Sequence, residues 1–181
     1  MTLEEWSELP EDVEGELVDG FLVEEEEATL VHEVIVAWLI RKLGDWGEVR
    51  GTVIAASNAK FAVAPRTGRK PDLTMFLPEN LPRNVALVRT VPYVAVEIVS
   101  QSARDRRRDR VEKYAEYAAF GIPWYWIVDP KPGSLEIFER GADGRYVLAL
   151  SASGGVQTDV PGCEGLILDL DALWAQVDRV R

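Results

Sequence analysis

The chain has 181 residues, 47% of them hydrophobic and 28% charged, with a formal net charge of −11 and one cysteine, Cys163. Those figures predict a single domain over 1–181 with a sizeable core, and the lone thiol excludes an intrachain disulfide and a cysteine-rich zinc site, in keeping with a reducing cytoplasm. No apolar run reaches the roughly 20 residues that span a bilayer, and the acidic start MTLEEWSELPEDVEGE has no apolar core and does not read as a signal peptide.

No Lys or Arg precedes Arg41, so the acidic excess lies in the N-terminal stretch. A strongly acidic chain argues against non-specific binding to phosphates. The near balance of charge after Arg41 weakens that objection without removing it.

In chain order, Thr2 and Glu5 form a capping box for a short helix over 3–9, ended by Pro10. Asp19-Gly20 lies between two extended runs and signals a hairpin. Val31, Val34, Ile35, Trp38 and Leu39 recur at helical spacing, which predicts a helix over 30–43 with Gly44 as its stop. Extended runs follow at 48–55 and 60–64, with Ser57-Asn58 as the turn. A strand DLTMF opens at Asp72 after Pro71, and 78–89 reads as a loop with a helical turn. The β-rich run 93–99 predicts a central strand. The next helix spans about 104–120, with Val111, Tyr114, Ala115 and Ala118 as its buried stripe and Gly121 as its cap. Strands at 124–128, 135–140 and 146–151 follow, the last two joined through Asp143-Gly144. A strand at 166–168 and a helix at 171–177 close the chain. The pattern is α/β, bordering on α+β, with helices flanking a mixed sheet.

Three residues carry chemical interest: Asp72, Glu97 and Lys113. Glu97 stands inside VAVEIVS, where alternation puts Val94, Val96 and Ile98 on one face and Ala95, Glu97 and Val99 on the other. An ionised carboxylate there needs a partner, a metal or a raised pKa. A strand edge or a buried pair with an arginine meets that need as well as a metal does. Asp72 opens a strand able to lie beside that of Glu97, and two carboxylates on neighbouring strands make a hard-oxygen site suited to Mg²⁺ or Mn²⁺. Lys113 lies off the apolar stripe, four residues after Asp109 and four before Tyr117, a spacing that also fits an ordinary surface ion pair. Arg104, Arg106, Arg107, Arg108 and Arg110 form the densest basic cluster and are candidates to meet phosphates, or a solvated helix start balanced by Asp105 and Asp109.

The chain resembles the Uma-type endonucleases, a group of the PD-(D/E)XK nuclease superfamily. The matching pieces are ELVDG at 16–20, the helical His32, PDLTMF at 71–76, VEIVSQSARD at 96–105, KYAEYAAFGIPWYWIVDP at 113–130 and the closing PGCEGLILDLDALW, in order along nearly the whole chain. The resemblance implies a restriction endonuclease-like fold, DNA as substrate, a divalent metal cofactor and a homodimer. It makes Asp72 the motif aspartate and Glu97 the motif glutamate. The motif lysine belongs two residues after Glu97, where this chain has Val99; the group supplies it from the following helix, at the position of Lys113. Glu16 and His32 match recurrent positions, Glu16 as a carboxylate acting through water and His32 as a residue touching the site. Gln101 departs from the proline usual after the serine. The competing function is a catalytically silent module of the same fold that binds nucleic acid or a protein partner.

Overall fold

A computed structural model describes residues 1–10, 13–24, 28–56, 58–100 and 107–181. Arg104, Arg106, Gln101 and Ser57 therefore lie outside the described residues. The helix α1 (Leu3–Ser7) starts on the capping box, Thr2 and Glu5 each bonding the other's backbone N–H. Strands β1 (Glu16–Val18) and β2 (Phe21–Val23) pair across Asp19-Gly20, whose φ angles of 50° and 86° are those of a primed two-residue hairpin turn. Helix α2 runs over Leu30–Glu48, through Gly44 instead of stopping there. Its far end still has a core to cover, since Leu43 and Gly47 are buried, and tertiary burial outweighs the modest cost of a helical glycine.

That extension shortens the next strand to β3 (Val53–Ala56). It does not form a hairpin with β4 (Phe61–Ala64). Instead β3 pairs with β6 (Leu73–Phe76), while β4 pairs with β5 (Thr67–Arg69), a strand that the sequence pattern did not predict. A 3₁₀ turn at Pro78–Asn80 lies in the expected loop. Then come β7 (Val94–Ile98), a π-helical turn (Arg108–Lys113) continuing directly into α3 (Tyr114–Phe120), β8 (Trp124–Asp129), β9 (Ser134–Arg140), β10 (Tyr146–Ala152), β11 (Val156–Gln157), β12 (Leu168–Asp169) and α4 (Leu170–Asp178). Gly121 ends α3 at φ 102°, a left-handed cap that a side chain would strain.

The main sheet has six strands in the order β10-β9-β8-β7-β6-β3, and a smaller sheet runs β2-β1-β5-β4. In the main sheet only β7 and β8 are parallel; the helix between them makes the crossover that a parallel pair requires. On one face Val94, Val96, Ile98 and Trp126 pack with Ile35, Leu39, Leu173 and Val177 of α2 and α4. On the other face Ala95, Val99, Tyr125 and Ile127 pack with Tyr117 and Ala118 of α3 and with Phe61 of β4.

The α3 stripe differs from expectation. Val111 is 55% exposed and Ala115 is exposed, while Asp109, Lys113 and Tyr117 turn inward with Ala118. The reason is chemical. The helix faces two buried carboxylates, Glu97 on β7 of the main sheet and Glu16 on β1 of the smaller one, and buried charge demands charged partners more strongly than an apolar stripe demands burial.

Candidate active site

Asp72 immediately precedes β6, behind Pro71, which cannot donate to a ladder. The antiparallel register pairs Leu73 with Val96, and continuing it one residue sets Asp72 opposite Glu97. Asp72 Oδ2 accepts the Ile98 N–H at 2.6 Å, and its Oδ1 lies 3.0 Å from His32 Nε2 on the first turn of α2. His32 Nδ1 in turn meets Glu33 at 3.2 Å. Burial works against the imidazolium, but hydrogen bonding and charge from Asp72, then Glu33, hold the His32 pKa above its ordinary value.

Glu97 is 2% exposed and sits on an inner strand of the sheet, between β6 and β8. Lys113 Nζ donates to its Oε2 at 2.9 Å and the Tyr117 hydroxyl to its Oε1 at 2.6 Å. The pair with an arginine and the strand edge, both open from the sequence, are thus set aside. Burial pushes the Glu97 carboxyl well above the usual range; Lys113 pulls it back, and Asp72, Asp109 and Glu16 push it further up. Lys113 Nζ also lies 3.4 Å from Glu16 and 3.6 Å from Asp109. The Asp109–Lys113 pair is therefore buried beneath the helix, not displayed on its surface. Burial raises the Asp109 pKa to about 6, against the pull of Lys113 and with the help of Asp72 and Glu16.

Glu16 reaches the site directly from β1. Its Oε2 accepts from Arg69 at 2.7 Å and its Oε1 from the Lys70 N–H at 2.9 Å. Burial alone would raise its pKa, but Lys113 and Arg69 bring it below the ordinary value. Arg69, wholly buried, completes a bidentate pair with Glu116 of α3 at 2.6 and 2.8 Å. Lys113, Glu116 and Tyr117 of one helix are thereby tied to β1, β5 and β7 through two sets of charge-assisted hydrogen bonds, joined by the Lys113–Glu16 ion pair. Sequence reasoning missed Tyr117, Arg69 and Glu116. The one available signal was Tyr117 falling four residues after Lys113 on a helix.

Asp72, Glu97, Ile98, Asp109, Lys113 and His32 line one cleft of about 1290 Å³. Of the arginine cluster, Arg107 is exposed, Arg108 is buried and lines the cleft, and Arg110 is engaged with Glu136 and, at 3.4 Å, with Asp129. The expectation that these arginines act together on phosphates thus weakens at Arg110, whose guanidinium neutralises acids of β8 and β9. Lys131 and Lys70 also line the cleft.

Among the described residues, no group of three or more His, Cys, Asp or Glu side chains is arranged to hold a metal ion. Mg²⁺, however, is commonly bound through one or two carboxylates, the remaining positions going to water and phosphate. Asp72 and Glu97 match that donor type. Their oxygens already accept hydrogen bonds, but a carboxylate has about four lone-pair positions to offer. Among the described residues, no helix is long and apolar enough to cross a membrane.

The six-stranded mixed sheet with its flanking helices resembles a solved structure. A crystal structure described as "a putative nuclease belonging to DUF820 from Anabaena variabilis" matches with a TM-score of 0.77 and 16% identity, over 98% of this chain and 99% of that one. The type IIG restriction endonuclease BpuSI matches with a TM-score of 0.41 and 11% identity, over 89% of this chain and 18% of that one. The fold is restriction endonuclease-like. The chain belongs to the Uma2 family, whose description is "Putative restriction endonuclease" and whose sequence profile matches residues 2–171. No curated protein matches it.

Proposed function

We propose that the protein is a divalent-metal-dependent endonuclease that hydrolyses DNA phosphodiester bonds. The observation that carries this reading is a buried glutamate on an inner strand, bonded to a lysine and set beside an aspartate, all opening onto one cleft. Asp72 and Glu97 would hold Mg²⁺ or Mn²⁺, with the Ile98 carbonyl as a further oxygen donor. When bound, such an ion polarises a phosphoryl oxygen and lowers the pKa of water. Lys113, which donates to Glu97, would orient the attacking water and stabilise charge developing on phosphate. Glu16 acts on the reaction by holding Lys113, beside the water-mediated role expected from the sequence. His32 orients the Asp72 carboxylate.

The test is incubation of the purified chain with supercoiled and single-stranded DNA in Mg²⁺, Mn²⁺ or EDTA, beside Asp72→Asn. Metal-dependent nicking lost in EDTA and in the variant is expected. Binding of DNA without cleavage under any metal would replace this reading with the catalytically silent module.

A further inference from the structure

Tyr117 has no part in the chemistry proposed so far, yet it makes the shortest hydrogen bond to Glu97. Its hydroxyl lies 2.6 Å from Oε1, while Lys113, one helical turn earlier, takes Oε2 at 2.9 Å. The two donors differ in where they stand. Lys113 lines the cleft. Tyr117 is fully buried in the core behind Glu97, its ring edge-on to Tyr125 at 5.3 Å between centroids. Tyr125 is fixed in turn, donating its hydroxyl to the Asp109 carbonyl in the π-helical turn at 2.9 Å. Against a carboxylate acceptor the phenol O–H is the donor of the pair.

A glutamate reaches its site through three rotatable bonds, and a metal or water aligned by it depends on how those bonds are set. Partners of a ligand that do not themselves touch the metal commonly set this alignment. We propose that Tyr117 is a positioning residue for Glu97, clamping Oε1 from the core side so that the carboxylate meets Lys113 and a divalent cation in one fixed orientation. This rests on the metal-dependent reading above.

The experiment is a Mg²⁺ titration of thermal stability, starting from EDTA, on the full chain and on Tyr117→Phe and Tyr114→Phe. Tyr114 is the control: its hydroxyl donates to the Tyr146 carbonyl at 2.8 Å, on the same helix and away from the carboxylates. Tyr117→Phe should weaken the Mg²⁺ midpoint by about 10-fold or more, with Tyr114→Phe unchanged. An unaltered midpoint in Tyr117→Phe, or an equal loss in Tyr114→Phe, overturns the role of Tyr117 and leaves the metal-dependent reading standing. A wild type indifferent to Mg²⁺ and Mn²⁺ refutes both. Should Tyr117→Phe not fold, a fluorotyrosine placed at position 117 retains the hydroxyl. Its ¹⁹F resonance is expected to move with the wild-type Mg²⁺ midpoint, and a resonance that stays still overturns the proposal.

Discussion

Glu97 and Asp109 are carboxylates in a site whose burial favours their neutral forms, while metal binding needs Glu97 ionised. Glu97→Gln separates the two demands. Lys113 keeps Glu16 and Asp109 within 3.6 Å after the change, so in EDTA the variant should melt no lower than wild type. The wild type should gain about 1.4 kcal/mol at a free Mg²⁺ concentration near ten times its dissociation constant, a shift of roughly 3–6 °C. The variant should lose most of that shift. A large destabilisation in EDTA with no metal response in wild type would make Glu97 a structural ion-pair residue. Asp109 gives a pH prediction. Its folded pKa of about 6 lies above the ordinary 3.8, so the folded state binds the proton more tightly than the unfolded one. The stability it contributes is complete below about pH 4 and is lost as pH rises through about 6. Asp109→Asn should flatten the stability profile across that window. At pH 7.5 it should raise stability by up to about 2–3 kcal/mol, taking about 1.4 kcal/mol per pKa unit. Denaturant unfolding at a series of pH values measures both effects, and an unchanged slope would show that the burial penalty is not borne by Asp109.

The helix from the π-turn into α3 is an element whose polar face points inward. A helical period places Val111, Tyr114, Ala115 and Ala118 on one stripe, and a stripe of that kind would normally be core. Here Val111 is 55% exposed, and the inward positions go to Asp109, Lys113 and Tyr117. The wider winding of a π-turn is a frequent companion of functional sites. Val111→Lys distinguishes the two orientations. On the solvent side it should change stability by less than about 0.5 kcal/mol. A lysine forced into a core would cost several times that, so a drop in melting temperature of more than a few degrees would reverse the assigned face. Local rules fail at this helix for the reason that makes it useful: the element satisfies buried carboxylates at the expense of its own amphipathic pattern.

Across the whole molecule, the net charge of −11 must be reconciled with the polyanionic substrate proposed above. Positive charge that can meet phosphate has to be local, and the cleft presents Lys131, whose side chain is exposed. Arg110 is occupied by Glu136 and Asp129. Lys131→Ala should therefore flatten the plot of log K against log salt for duplex DNA by about 0.9, the value for one phosphate contact. Arg110→Ala should leave that slope unchanged and instead lower stability, since it strands two acids on β8 and β9. The reverse outcome would return Arg110 to the DNA-contacting cluster. Fluorescence anisotropy over a range of salt concentrations in EDTA, where cleavage cannot interfere, measures the slopes.

The primary structure determined what depends on neighbours along the chain. The capping box at Thr2, the hairpin turn at Asp19-Gly20, the cap at Gly121 and the β-rich run around Glu97 are local chemistry, and the structure contains each of them. The oddity of a carboxylate within VAVEIVS was legible for the same reason, as was the resemblance that named the family and fold. Its partners were not legible. Arg69 reaches Glu16 from 53 residues away and Glu116 from 47, and no periodicity encodes which buried acid a distant arginine will meet. The routing of β3 to β6 and of β4 to β5, the run of α2 through Gly44 and the inward charged face below Lys113 were likewise decided by tertiary structure. Each is an answer to burial and charge pairing, energies that exist only after the chain has closed on itself.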